Sequence, residues 1–249
     1  MGSSVAIVIP CYNEAERLKV SKFKEYADAD RLHRFVFVND GSRDATLEVI
    51  RGLHQDHPQH CSMIDLPRNL GKGEAVRHGL LAAFEMNPDF VGYWDADMAT
   101  PLETIPGFCA LLESRPEIEM VFGARVRLLG RFIERSPLRH YLGRVFATAA
   151  SFTLGLPIYD TQCGAKLFRG SPLVRSLFQQ PFTTRWLFDV EMIARLIQAC
   201  PSHGLRRPED LIYEFPLQAW SDIAGSKVKP LDFFKSFFGL AGIYWKYLR

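Results

Sequence analysis

The chain has 249 residues, of which 47% are apolar and 23% charged, and its net charge is +2. That length suits one large domain with a sizeable core, and so small a charge excludes a generally basic nucleic-acid coat, so no nucleic-acid partner is expected. Five scattered cysteines (Cys11, Cys61, Cys109, Cys163 and Cys200) show no metal-ligand spacing, and their odd number fits a reduced, cytoplasmic setting better than a disulfide framework.

Met1-Gly-Ser-Ser4 runs straight into Val5–Ile9, with no basic n-region and too few apolar residues for a signal peptide. Val5–Ile9 reads as a strand, Glu14–Ala27 as a helix, Phe35–Val38 as a strand, and Asp44–Gln55 as a helix capped by its own aspartate. Ser62–Asp65, Gly73–Met86 and Phe90–Trp94 continue the alternation as strand, helix and strand. Such a β-α-β-α pattern predicts an α/β fold with a mainly parallel sheet, and ligands at the carboxyl ends of its strands. Val121–Arg125 is the next expected strand, followed by an arginine-dense stretch: Arg125, Arg127, Arg131, Arg135, Arg139 and Arg144. A helix over Pro137–Leu154, a strand at Lys166–Phe168, a helix over Phe188–Ala199 and a strand at Leu211–Phe215 complete the body. The tail, Pro230–Leu248, mixes phenylalanine, tryptophan and tyrosine with spaced lysines, the pattern of an interfacial helix, although a core helix carries similar residues. No apolar run approaches the roughly 18 residues a membrane span requires.

The polar signatures cluster where the sheet would place a ligand. Asp95-Ala-Asp97 follows a strand, and two carboxylates this close raise each other's pKa unless a cation neutralises them. Mg²⁺ or Mn²⁺ takes such oxygen ligands together with substrate phosphates. A lone D-x-D would read as a solvated turn. Beside Pro10-Cys-Tyr-Asn-Glu14 and Asn39-Asp-Gly-Ser42 at the same edge, it reads as a metal site. Asp40 suits a base edge that offers an N–H donor. Leu70-Gly-Lys-Gly73 is only a fragment of a phosphate loop, but Lys72 at a helix start suits a diphosphate.

Ile7–Glu14, Val38–Asp44, Arg68–Gly73 and Asp95–Asp97, taken in order, closely resemble glycosyltransferase family 2, which has the GT-A fold. The resemblance implies that Pro10, Tyr12, Glu14 and Asp40 line the nucleoside pocket. It also implies that Lys72 and Asp95 lie along the nucleotide, and that Asp97, beside Asp95, is the direct metal ligand. Asp160–Phe168, Arg185–Glu191 and Trp220–Lys227 resemble the dolichyl-phosphate β-glucosyltransferases, which are related to the dolichyl-phosphate mannosyltransferases. Glycine is common in these relatives where Met98 and Ala165 stand. By the same resemblance Arg125 and Arg139 contact an acceptor phosphate, and Asp160 is the carboxylate near the acceptor. Asp189 and Glu191 are open between that site and a structural role.

The implied enzyme is an inverting, metal-dependent hexosyltransferase. It would move glucose from UDP-glucose to a polyprenyl or dolichyl phosphate, peripherally bound at the cytoplasmic face of a membrane. A GT-A domain is expected over residues 1–228, with a nucleotide half to about 124 and an acceptor half beyond it, then an amphipathic membrane-surface helix over 229–249. The alternatives are a GDP-mannose-dependent mannosyltransferase, a family-2 transferase acting on a hydroxyl, and a nucleotidyltransferase. Pyrophosphate release would mark the last.

Overall fold

The computed structural model describes residues 2–29, 32–134, 137–202, 207–222 and 230–249, without the side chains of 137–140, 201–202 and 230–235. Its first half alternates strands and helices: β1 (Val5–Cys11), α1 (Val20–Ala29), β2 (His33–Asp40), α2 (Thr46–Asp56), β3 (Cys61–Leu66), α3 (Lys72–Phe84), β4 (Phe90–Trp94) and α4 (Ile105–Ser114). Next come β5 (Met120–Ala124), β6 (Phe132–Glu134), α5 (Pro137–Leu154), β7 (Ala165–Arg169), α6 (Pro172–Ser176) and α7 (Phe188–Ser202). The chain ends with α8 (Pro208–Leu211), β8 (Ile212–Pro216), β9 (Ala219–Ser221) and α9 (Pro230–Ile243), whose last turns loosen into a π-helical segment over Tyr244–Leu248.

Seven strands form one sheet in the order β3-β2-β1-β4-β7-β5-β8, and β6 pairs with β9 in a small second sheet. Every pairing in the large sheet is parallel except those of β7, which runs antiparallel to both β4 and β5. The strands are near-continuous apolar runs because both faces are covered. Alternate residues of β1 go to opposite layers: Ala6 and Val8 pack with α3, α5, α7 and α9, while Val5, Ile7 and Ile9 pack with α1, α2 and α4. Gly79 lets α3 lie close on the sheet, since a Cβ there would meet Val8 Cγ1 at 2.3 Å.

Several expected boundaries shift for local reasons. Helix α1 begins at Val20 rather than Glu14, because Asn13 takes a left-handed φ of 51° and the Glu14 carbonyl closes a turn onto Arg17 and Leu18. Asp44 does not cap α2 as expected: the N-cap is Ala45, with no side-chain cap bond, and the Asp44 carboxylate instead accepts the Thr46 amide at 3.1 Å and the Ala15 amide at 3.2 Å, so it ties two loops together. Pro106 and Gly107 in the first turn of α4 hide its periodicity from the sequence pattern. The tail buries Leu240 and Ile243 in the core and leaves Phe238 and Trp245 exposed. Lys229, the side chain of Lys235 and the motif residues 223–227 lie outside the described residues.

Candidate active site

On the donor side, the loops after β1, β2 and β3 are bound to one another before any ligand is considered. Asn13 accepts the Arg43 amide at 2.9 Å, and its own amide donates to Ser42 Oγ at 3.0 Å. Gly41 has φ +59°, and a Cβ there would lie 2.4 Å from the Arg68 carbonyl carbon, so only glycine fits. Asp40 is buried, with Oδ1 accepting the Leu70 amide at 2.7 Å and Oδ2 the Gly71 amide at 2.9 Å. Burial raises its pKa, and those two amides oppose the rise. Asp40 therefore holds the Leu70-Gly-Lys-Gly73 loop in place, and a base edge would use only its remaining lone pairs. Pro10 lies opposite Val38 at the end of β1, Tyr12 is half-buried just beyond it, and the buried Glu14 pairs with Arg17 at 2.5 Å.

Lys72 opens α3 and reaches across to Asp95, with Nζ 2.5 Å from Oδ1. Burial alone would lower the Lys72 pKa, but Asp95, Asp189 and Asp97 together raise it above the usual lysine value. Asp97 is half-buried, and its pKa is raised first by burial and then by Asp95, although the Ala99 amide donates to Oδ1 at 3.0 Å. The turn between them closes through the Met98 amide on the Asp95 carbonyl, with Met98 at φ +54°. That left-handed backbone explains why glycine suits this position; a methionine there costs about 1–2 kcal/mol. No cluster of three or more metal-ligating side chains exists among the described residues. Two carboxylates fit an ion such as Mg²⁺ or Mn²⁺ that completes its shell with substrate phosphate and water, and the Lys72 ammonium shows that a cation is welcome there.

The acceptor side reaches the same edge because β7 is reversed. An antiparallel strand beside β4 brings its preceding loop to the carboxyl end of β4, and the register pairs Trp94 with Ala165. Asp160 at the start of that loop meets Arg125 just past β5 in a two-pronged ion pair: Nε to Oδ2 at 2.7 Å and Nη2 to Oδ1 at 2.8 Å. The Arg125 amide adds a third bond at 3.1 Å, and the guanidinium stands over the Trp220 ring at 5.3 Å. Burial opposes ionisation of Asp160, yet Arg125 wins and holds its pKa below the usual carboxylate value. Arg125 and Asp160 are thus partners of each other. Arg139 lies on α5, but its side chain is outside the described residues.

Two residues that sequence reasoning passed over build this loop. Glu214 on β8 accepts the amides of Tyr159 at 2.8 Å and Asp160 at 2.7 Å, and burial raises its pKa. Lys166 on β7 is fully buried, and its Nζ donates to the carbonyls of Thr161 (3.0 Å) and Cys163 (2.7 Å) and to Asp189 Oδ1 (2.7 Å). A lysine inside an apolar strand was the available signal, since such a charge is kept only with partners. Asp189 also accepts the Tyr93 hydroxyl. Glu191 accepts the amides of Thr183 and Thr184, Arg195 and the Tyr247 hydroxyl, which ties the tail to the loop bearing Arg185.

The profile of glycosyl transferase family 2 matches residues 6–176. The chain is 32% identical to the dolichyl-phosphate beta-glucosyltransferase ALG5C of Trichomonas vaginalis, covering 89% of this chain and 65% of that protein. It is also 32% identical to the dolichyl-phosphate beta-glucosyltransferase of Drosophila melanogaster, over 91% of this chain and 69% of that one. The chain thus spans about two thirds of the length of these curated relatives. Among solved structures, glucosyl-3-phosphoglycerate synthase from Mycobacterium tuberculosis, in complex with Mn²⁺, uridine diphosphate and glucosyl-3-phosphoglycerate, superposes with a TM-score of 0.64 at 19% identity. That match covers 95% of this chain and 76% of the other. The same synthase with Mn²⁺ and UDP-glucose also gives 0.64, at 19% identity over 95% of this chain and 75% of that one. The shared architecture is the GT-A fold expected from the sequence.

Proposed function

The chain belongs to glycosyl transferase family 2, and from that premise we propose that it transfers glucose from UDP-glucose to a polyprenyl or dolichyl phosphate with inversion. The observation that carries this reading is the meeting of two charged groups at one sheet edge: Lys72 with Asp95 and Asp97, and Arg125 with Asp160. The names of the curated relatives support the acceptor class, and the ligands of the mycobacterial synthase support a uridine nucleotide with Mn²⁺.

In this reading Asp97 and Asp95 hold Mg²⁺ or Mn²⁺, which when bound supplies Lewis-acid charge to the leaving diphosphate. Lys72, which pairs with Asp95 here, would donate to the same diphosphate. Pro10, Tyr12, Glu14 and Asp40 wall the nucleoside pocket. The acceptor needs no strong base, because a phosphate monoester with a second pKa near ~6 is already mostly dianionic at neutral pH. A hydroxyl acceptor would need one, and Asp160, held ionised by Arg125 with a depressed pKa, is a poor one. That favours a phosphate acceptor, met by Arg139 and the outer edge of Arg125, with Asp160 orienting the arginine.

No helix among the described residues is long and apolar enough to cross a membrane. We place the enzyme peripherally on a cytoplasmic membrane face, through the tail over 229–249. Phe238, Tyr244 and Trp245 are exposed there, beside Lys246. The test measures UDP release from UDP-glucose with Mn²⁺ and a short polyprenyl phosphate, against GDP-mannose and against a soluble hydroxyl acceptor. Faster turnover with GDP-mannose would overturn the donor, and faster turnover with the hydroxyl would overturn the acceptor; pyrophosphate release from UTP and glucose 1-phosphate, with no transfer from UDP-glucose, would make it a nucleotidyltransferase.

A further inference from the structure

The loop at 159–164 is held at almost every residue. Glu214 holds the amides of Tyr159 and Asp160, Arg125 holds the Asp160 carboxylate, and Lys166 takes the carbonyls of Thr161 and Cys163. The Asp95 amide donates to the Gly164 carbonyl at 2.8 Å. Gly164 lies so close to the metal-site carboxylate that a Cβ there would be 1.8 Å from Asp95 Oδ2. On this fixed segment two adjacent side chains carry buried polar atoms with no hydrogen-bond partner among the described residues: Thr161 Oγ1 and Gln162 Nε2. A buried N–H donor left without an acceptor is costly, and Gln162, half-buried on this fixed segment, keeps its Nε2 on the buried side.

The place of Gln162 in the chain says what the missing acceptor is. Two residues before it stands Asp160 of the acceptor-side ion pair, and two residues after it stands Gly164 against Asp95. A sugar that leaves a diphosphate at Asp95 for a phosphate near Arg125 passes between those groups, alongside this segment. Sugar hydroxyl oxygens accept hydrogen bonds from an amide N–H. We infer that Gln162 is a specificity-determining residue, whose carboxamide donates to a ring hydroxyl of the transferred hexose and so reads the sugar rather than the nucleotide. This rests on the hexosyl-transfer reading above.

The experiment uses the full chain with Mn²⁺ and a short polyprenyl phosphate. UDP-glucose is compared with its 2-, 3-, 4- and 6-deoxy analogues in wild type, Gln162→Leu and Gln162→Ala. Wild type should lose about tenfold in kcat/KM with one particular deoxy donor. Both variants should lose a similar factor with UDP-glucose, and should then be indifferent to that same deoxy change. Calorimetric binding of UDP with Mn²⁺ should stay within about twofold of wild type, because UDP lacks the transferred hexose. An undiminished deoxy penalty in both variants overturns the inference, as does a raised acceptor KM with sugar discrimination intact, which would assign Gln162 to the acceptor phosphate. UDP binding weakened as much as transfer would make its role structural and also overturn it. A wild type that releases no UDP from any of these donors defeats the function reading itself, which is a different outcome from an active enzyme whose variants discriminate normally.

Discussion

Asp40 and Asp97 in one half of the sheet edge and Asp160 in the other are treated in opposite ways. In the donor half, Asp40 and Asp97 are held by backbone amides, and burial pushes both pKa values up. In the acceptor half, Asp160 has its own arginine and its pKa is pushed down. A site whose anions are under-neutralised is prepared for a cation that arrives with the substrate. A site with its charge already cancelled is prepared to hold a shape. On the proposed function the donor half should therefore gain most from a metal, and the acceptor half should depend most on its internal pair.

The most severe way to break this contrast is to remove one member from each half. Asp97→Ala should cut turnover by about three orders of magnitude, because the lost interaction acts on the leaving group, while the thermal midpoint stays close to wild type. UDP release that survives both this change and excess EDTA would show that the donor half does not wait for a metal. Asp160→Asn should do the reverse in kind. It strands a buried guanidinium and should cost about 3–5 kcal/mol of stability, measured by denaturant unfolding.

The pH dependence sharpens the same comparison. Asp160 has a folded pKa below its unfolded value, so its contribution is present above the unfolded carboxylate pKa of about 3.9 and is lost as pH falls through the folded value. Wild type should thus lose stability on acidification below about pH 4, and the part due to Asp160 should be missing in Asp160→Asn. Equal acid slopes for the two proteins would mean that the arginine does not hold this carboxylate down in the folded state.

The halves also differ in how much of them the sequence discloses. The donor-half residues sit in short segments at or directly after the ends of β-rich runs, so the sequence announces the place of Pro10–Glu14, Asn39–Ser42 and Asp95–Asp97 in the fold. Strand direction is not written in composition, and nothing local marks β7 as antiparallel. Yet that reversal is what brings Asp160 and Gly164 to the Asp95–Asp97 turn. Arg125 and Asp160 are 35 residues apart and Asp160 and Glu214 are 54 apart, so their pairing exists only in the folded sheet. Resemblance placed Arg125 and Asp160 near an acceptor. It left their bond to each other, and the supports at Lys166 and Glu214, to the structure.

A smaller effect tests whether the tail is a working part of the acceptor half. Tyr247→Phe removes the hydroxyl that donates to Glu191 at 2.8 Å and should cost about 1 kcal/mol. Glu191 keeps its threonine and arginine donors, so turnover should fall little. A loss of turnover much larger than the loss of stability would show that the tail sets the position of the Arg185 loop.

The smallest expected effect on the chemistry comes from the outer face of the same tail. Its inner face is core, since Leu240 and Ile243 are buried and Phe237 packs edge-on against Phe146. Its outer face leaves Phe238 81% and Trp245 60% exposed, and Lys246 is also exposed. Exposed aromatics beside a cation suit the headgroup region of an anionic bilayer; on the protein itself the Trp245 ring meets the neighbouring Tyr244 edge-on and the terminal Arg249 guanidinium at 4.3 Å. Phe238→Ser with Trp245→Gln should therefore change stability by no more than about 0.5 kcal/mol. Turnover on a short, detergent-soluble polyprenyl phosphate should be unchanged. Sedimentation with anionic vesicles should fall, and Lys246→Glu should lower it further in a manner that weakens as salt rises. If the double variant sediments as wild type does, the outer face has no membrane role, and membrane contact falls to the arginines between Arg125 and Arg144. If it unfolds instead, both faces of the helix belong to the core, and the tail is an extension of the acceptor half rather than its link to a lipid surface.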